Sequence, residues 1–312
     1  MKVLVSGGTG FIGSALIRSL GASGHEVSLL TRRPISSFPP ARHVYQWDPG
    51  VGRIDRAAFQ DCGAVVHVAG ESLAAARWSK KRKREIVDSR VLSTGLLAEA
   101  IGGEATPPRV LVSASAVGYY GDRGEELLTE ESGSGRGFLA EVCAAWEAAL
   151  APAARRGVRV VIARIGVVLG PGGGALAKML LPFRLGVGGP LGNGRQWMSW
   201  IALEDLLSAL TFAMAREDLS GPINVVAPEP VRSRDFARVL GRVLERPAVL
   251  SVPALALRLL FGEMADEALL SSARAVPAKL TAAGFGFSHA RLERALRWAL
   301  DREGVEVART GA

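Results

Sequence analysis

A chain of 312 residues, 48% hydrophobic and 22% charged, can bury a large core, which excludes a disordered or fibrous protein. Lys and Arg number 38 against 30 Asp and Glu, a formal charge of +8 that favours anionic partners, yet the cations are scattered apart from Lys80-Lys81-Arg82-Lys83-Arg84. The 37 glycines exceed the usual ~7% and call for tight turns and close backbone approaches.

In chain order, KVLVS (2–6) reads as a short buried strand, 11–20 as an amphipathic helix, EVSLL (26–30) as a second strand, AVVHV (64–68) as a third and RVLVS (109–113) as a fourth. Helical patterns fill 80–101, closed by Gly102-Gly103, and 138–154, before a further strand, VRVVIA, at 158–163. Short runs apolar on both faces and separated by helices predict a parallel sheet covered on both sides, a doubly wound α/β fold. After Gly170 the texture turns Gly- and Pro-rich, 197–215 returns to strand then helix, and GPINVVAP (221–228) supplies one more strand. From Val231 helical patterns dominate, jointed at Pro247, Pro253 and Pro277. The expected division is a nucleotide-binding domain from 1–170 plus 199–227, and a smaller, mostly helical, discontinuous lobe from 171–198 plus 228–312.

Cys62 and Cys143 lie in apolar runs with no ligand or redox spacing and read as buried free thiols of a reducing compartment, with no metal site. The amino-terminal VLV is broken at once by glycines and Thr9, unlike a secretory leader, and no uncharged run approaches the ~20 residues of a membrane span. A cytoplasmic protein is expected.

Ser6-Gly7-Gly8-Thr9-Gly10-Phe11-Ile12-Gly13 follows the first strand and opens the first helix, the setting in which a glycine pattern signifies dinucleotide binding. Gly7 permits the turn, Gly10 lets the backbone approach a pyrophosphate, and Gly13 lets the helix lie against the sheet; the helix terminus then holds the negative charge. At the end of the second strand, where an NAD-selective site keeps an acid, stand Thr31, Arg32 and Arg33. Two guanidinium groups attract a 2′-phosphate, so NADP(H) is the expected cofactor, with Arg32, nearer the strand, the better placed. Ala69, Gly70 and Glu71 at the end of the third strand, and Ser113 at the end of the fourth, complete the expected cofactor lining.

Five segments carry a resemblance: GGTGFIG (7–13), HVAGE (67–71), SASAVGYYG (113–121), ARIGVVLGPGGG (163–174) and WMSWIALEDL (197–206). They resemble the extended short-chain dehydrogenase/reductase family, which includes nucleotide-sugar epimerases, and RAVPAKLTAAGFGF (274–287) is similar to the hallmark of its atypical epimerase-family branch. The resemblance implies a Rossmann-type domain and catalysis by a Ser with a Tyr-x-x-x-Lys pair, in which Tyr moves the proton, Lys lowers its pKa and Ser orients substrate. Ser115 matches the Ser. The pair falls on GFLAEVCAAWE (137–147), where one register supplies Phe138 and Val142 and the next Leu139 and Cys143, and no Tyr-x-x-x-Lys occurs elsewhere.

Any proton must therefore come from another group. The candidates are Tyr120 or Tyr119 after Ser115, Asp122 beside them, Glu71, and Lys178 in the glycine-rich crossover; equally, Tyr120-Gly121 reads as a packing and turn element and Asp122 as a turn cap. In the second lobe Arg195 and Trp197, within GNGRQWMSW, are candidates for binding an anionic substrate group, although Trp197 and Trp200 also suit a core. Glu204-Asp205 are expected to cap the following helix. Arg90 occupies roughly the place of a family Asn near the cofactor. The 80–84 run reads as the solvated end of a helix more than as a nucleic-acid patch. The sequence thus points to an NADP(H)-dependent oxidoreductase or epimerase-like enzyme acting on a small molecule, or else to a non-catalytic NADP(H)-binding sensor, as a monomer or homodimer with no membrane partner.

Overall fold

The computed structural model describes residues 1–310, with side chains to Arg302; residues 311–312, the end of the expected second lobe, lie outside the described residues. Its first part runs β1 (Lys2–Ser6), α1 (Phe11–Ala22), β2 (Glu26–Thr31), β3 (His43–Asp48), β4 (Arg53–Ile54), β5 (Ala64–His67), α2 (Lys80–Gly102), β6 (Val110–Ala116) and β7 (Leu127–Leu128). There follow α3 (Phe138–Ala148), α4 (Ala151–Arg155), β8 (Arg159–Ile165), β9 (Val167–Leu169), α5 (Gly174–Arg184), β10 (Trp197–Met198), β11 (Trp200–Ala202), α6 (Leu203–Ala215) and β12 (Gly221–Val225). The chain closes with β13 (Val231–Arg232), α7 (Ser233–Val243), α8 (Ala254–Phe261), β14 (Arg274–Ala275), α9 (Ala278–Ala282) and α10 (Leu292–Thr310).

Eight strands form one sheet in the order β12-β8-β6-β5-β1-β2-β3-β4. The β1/β2, β1/β5, β2/β3 and β5/β6 pairs are parallel, and β4 returns antiparallel on β3 as an edge hairpin. Successive strands go one way from β1 and then the other, so the order reverses between β1 and β5, the switch point at which doubly wound sheets bind nucleotides. Val3, Leu4 and Val5 of β1 are wholly buried, which is why that strand carries no polar alternation.

Two compact units partition the chain: Met1–Ser115, Val142–Ala163 and Leu207–Ile223 make the first, and Ala116–Glu141, Arg164–Leu206 and Asn224 onward make the second. The first is centred on Leu4, Leu30, Phe59, Leu97, Ile101 and Leu111. The second has its own core of Leu180, Phe183, Trp200, Phe236, Leu240 and Leu296. It takes in 116–141, which the sequence reading left with the nucleotide-binding half. Strand pairing is the reason: β7 lies parallel to β14, with Leu127 opposite Arg274 and Leu128 opposite Ala275, so the segment after β6 is stitched to the carboxyl-terminal part.

The helix expected over 138–154 is two helices, because Pro152 lacks the N–H that would continue the ladder and instead sits in the first turn of α4. Strand β3 was not foreseen. Its sequence HVYQWD keeps only Trp47 fully buried, as suits a strand near the sheet edge with little apolar signal.

Candidate functional site

Gly7 turns with φ of +77° and its carbonyl accepts the Gly10 N–H at 3.0 Å. The turn is pressed onto the end of β5: a Cβ on Gly7 would lie 2.6 Å from the Ala69 nitrogen, and one on Gly13 would lie 2.3 Å from the Gly7 carbonyl oxygen. No side chain fits at either place. Helix α1 starts on Phe11 with Gly10 as its N-cap, so no side chain caps it and no acid stands in its first turn. The first-turn N–H groups and the helix dipole thus form a cradle for an anion at the switch point. Thr9, Phe11 and Ile12 are half-buried around it. A dinucleotide pyrophosphate fits this donor set.

At the ends of β2 and β5 a cluster of arginines surrounds Glu71. Arg32 Nη2 is 3.1 Å from Glu71 Oε1, and Arg82 Nη2 is 3.6 Å from Oε2. Arg90 donates to the Glu71 carbonyl at 3.0 Å and to the Ile86 carbonyl at 3.1 Å, and its guanidinium stacks 5.1 Å from the Trp146 ring centre. Arg90 therefore braces the Ala69-Gly70-Glu71 turn: a Cβ on Gly70 would sit 3.4 Å from its Cζ. Thr31 Oγ1 accepts the Arg33 N–H at 3.1 Å, turning the chain so that Arg32 and Arg33 both reach solvent.

The basic run departs from expectation at Arg82. Ser79 caps α2 by accepting the Arg82 N–H, and Arg82, 12% exposed, turns inward to Glu71 and to Glu85 at 2.9 Å instead of joining the solvated end. Behind the glycine turn, His67 is fully buried between Ser6 Oγ at 2.6 Å and Thr94 Oγ1 at 2.9 Å, and burial pushes its pKa down to about 4. It is neutral and ties β1, β5 and α2 together.

Ser113 is buried on β6, its hydroxyl turned to the Ala114 carbonyl at 3.3 Å. Two residues on, Ser115 Oγ donates to Glu147 Oε1 of α3 at 2.7 Å. Leu139, Val142, Cys143 and Trp146 are buried, whereas Glu147 is only half-buried. Helical spacing explains the pairing: Leu139, Cys143 and Glu147 are four residues apart on one face, so the ionisable group missing from the first two turns appears on the third. Sequence reasoning tested 138/142 and 139/143 and stopped one turn short.

Apart from Glu71, which lies in the first unit, the other proposed proton donors lie in the second unit. Tyr120 has no exposed surface; its hydroxyl donates toward Asn224 Oδ1 at 2.7 Å or the Thr129 carbonyl at 2.9 Å and accepts from Arg164 at 3.1 Å. Burial raises its pKa despite that arginine. This is the bonding of a structural phenol, and it answers to the packing alternative of the sequence reading. Asp122 Oδ1 accepts from Gly124 N at 3.2 Å and Ser272 N at 3.3 Å, so it acts as a turn cap. Tyr119 lies flat beneath the Arg164 guanidinium, 3.5 Å from its ring centre.

Lys178 is exposed on α5. Arg195 is exposed on a turn in which its N–H meets Asn193 Oδ1 at 2.9 Å. Trp197 Nε1 donates to Glu125 at 2.9 Å, with the guanidinium groups of Arg232 and Arg274 at 4.7 Å and 4.5 Å from its ring. Asp205 differs from the cap expected of it. Its buried carboxylate accepts the Ser288 and His289 N–H groups at 2.8 Å and 2.9 Å, fastening the loop before α10, while Glu204 meets His289 Nε2 at 2.6 Å. Burial raises the Asp205 pKa. Among the described residues no group of three or more His, Cys, Asp or Glu is placed to hold a metal ion.

With this geometry in view, the relatives are informative. Residues 3–227 match the model of the NAD dependent epimerase/dehydratase family, and 252–299 match a domain of unknown function, DUF1731. An epimerase family protein of Mycobacterium tuberculosis is 44% identical over 304 residues, covering 97% of this chain and 98% of its own. The crystal structure of human epimerase family protein SDR39U1 (isoform2) with NADPH is 36% identical with a TM-score of 0.86, over 96% of this chain and 99% of the human one. The Thermus thermophilus UDP-glucose 4-epimerase complex with NAD, 23% identical with a TM-score of 0.77 over 97% and 99% of the two chains, shares the fold. The glycine turn at the switch point, the doubly wound sheet and the full-length relatives agree, and the chain belongs to the NAD dependent epimerase/dehydratase family.

Proposed function

We propose that the protein binds NADP(H) and uses it in oxidoreductase or epimerase-like chemistry on a small-molecule substrate. The observation that carries the reading is the uncapped amino terminus of α1, framed by Gly7, Gly10 and Gly13 at the switch point, with Arg32 at the end of β2. The cradle suits a pyrophosphate, and Arg32, seconded by Arg82, suits a 2′-phosphate. The NADPH of the human structure supports the same choice.

Bound nicotinamide would supply hydride exchange with a substrate carbon. Proton handling falls to Ser115 and Glu147. As a substrate hydroxyl is oxidised, its proton passes to Ser115 Oγ while the Ser115 proton passes to Glu147, 2.7 Å away; carbonyl reduction runs the same relay backwards. A carboxylate in this place does the work that Tyr and Lys share in other members. Screening carbonyl compounds and sugar nucleotides for NADPH oxidation, with Ser115→Ala beside the parent, tests the reading: oxidation that Ser115→Ala abolishes supports it, and undiminished oxidation in that variant defeats the relay.

A second reading, an NADP(H)-binding sensor without turnover, is favoured by the apolar Leu139 and Cys143 on α3. Cofactor binding with no oxidation of any compound in the panel would establish it. We place the protein in the cytoplasm on the strength of its two buried free cysteines.

A further inference from the structure

Cations at the amino terminus of a helix oppose the helix dipole, and two of them one turn apart also repel each other. Helix α10 bears both costs: Arg291 immediately precedes its first residue, Leu292, and Arg294 lies in its first turn, each exposed. Glu293, the acid of that turn, is engaged by Arg297 at 2.7 Å and Arg242 at 3.2 Å, and no acid among the described residues pairs with Arg291 or Arg294. Natural sequences break such local rules chiefly where a function offsets the cost.

Both arginines border an open groove of about 630 Å³ built within the second unit, a size inside the ~300–1,000 Å³ range of small-molecule sites. The buried side of the groove is aromatic. Trp298, half-buried, leans on the imidazole of His289 with ring centres 4.9 Å apart. His289 is 5% exposed; its Nε2 meets Glu204, while its Nδ1 has no hydrogen-bond partner. Asp301, exposed, lines the groove one turn beyond Trp298.

The order of these groups along α10 identifies the ligand. Arg291 and Arg294 come first, Trp298 follows about 6 Å further along the axis than Arg294, and Asp301 about 4.5 Å beyond that, all on one side of the helix. A nucleoside phosphate presents matching groups in the same order: a phosphate for the guanidinium forks, a planar base for the indole, and amino or hydroxyl hydrogens for the carboxylate. A bare anion leaves Trp298 and Asp301 without a role. A single-stranded nucleic acid needs cations that continue along its backbone, and here Asp301 would oppose the next phosphate.

We infer that this groove on α10 binds a free nucleoside phosphate. It shares no residue with the α1 cradle, and its ligand binds whatever the cradle holds. Calorimetric titration of the full chain with AMP tests the site. AMP is expected to bind at least about tenfold more tightly than inorganic phosphate, the difference being the base on Trp298. Arg291→Glu/Arg294→Glu is expected to weaken AMP at least about thirtyfold while its thermal melt holds or rises, since acids suit a helix amino terminus. Should that reversal disturb the fold, Arg291→Gln/Arg294→Gln is expected to weaken AMP about tenfold. Trp298→Leu is expected to weaken AMP about tenfold and to leave inorganic phosphate unchanged. AMP held in the α1 cradle would survive both arginine variants, and that result would overturn the inference. So would a parent that binds no AMP, equal affinity for AMP and inorganic phosphate, or a ten-nucleotide single-stranded RNA bound more than about tenfold more tightly than AMP.

Discussion

Ser115 on β6 and Glu147 on α3 share a 2.7 Å hydrogen bond, although 32 residues of chain separate them. Glu147→Gln keeps the length of the side chain and its acceptor oxygen but cannot take up a proton. With any carbonyl substrate that the parent reduces, this variant is expected to oxidise NADPH about 10²–10⁴-fold more slowly, with NADPH affinity unaltered.

In the proposed NADP(H) site, Arg32 would supply the charge that distinguishes a phosphate from a hydroxyl. Arg32→Ala is expected to weaken NADPH binding about 10- to 100-fold and NADH binding about threefold or less, measured by cofactor fluorescence. An equal loss for both cofactors would place Arg32 in general positioning and remove it from selectivity.

His67 makes stability depend on pH in a definite direction. Its folded pKa of about 4 lies below the ordinary ~6.5, so between those values the unfolded chain holds a proton that the folded chain does not. Stability is therefore complete above about pH 6.5 and falls as the pH drops toward 4, by up to about 3 kcal/mol from this group. Urea unfolding at pH 7 and pH 4.5 should show the loss. His67→Gln, which can still bond both neighbouring hydroxyls, should flatten it.

Helix α3 is held at its start by a remote carboxylate. Glu267 Oε2 accepts the Leu139 N–H at 3.0 Å, and Gly137, with φ of +106°, leaves room for it, since a Cβ there would lie 2.5 Å from Glu267 Oε1. Glu267→Ala is expected to cost about 1 kcal/mol through the lost cap. Gly137→Ala is expected to cost about 1–3 kcal/mol, because it meets both the strain of positive φ and the blocked approach. Chemical denaturation of the two variants and their combination should give less than the sum, as both break one contact.

The sheet was legible because its strands are buried on both faces and announce themselves as apolar runs such as VLV and AVV. Strand β3 was not, since HVYQWD mixes exposed and buried residues without a clean period. The glycine turn was legible for a different reason: backbone contacts as tight as those at Gly7 and Gly13 tolerate one residue type, and that constraint is written in the sequence. Side-chain pairs joined by tertiary structure leave no such mark. Nothing local indicates that Arg82 turns toward Glu71, or that the phenol of Tyr120 is spent on Asn224, 104 residues away. Glu147 stands between these cases, visible to a helical count carried one turn further.

The carboxylate of Glu71 occupies the very guanidinium that a 2′-phosphate would take. If NADP(H) binds as proposed, its entry exchanges one anion for another, and its affinity is the difference between two ion pairs. A dianionic phosphate with three acceptor oxygens displaces a monoanionic carboxylate with two, whereas a ribose hydroxyl does not. Because added salt screens the resident pair as well as the incoming one, NADPH affinity should decline with ionic strength more gently than arginines standing alone would dictate. Glu71→Gln should steepen that decline.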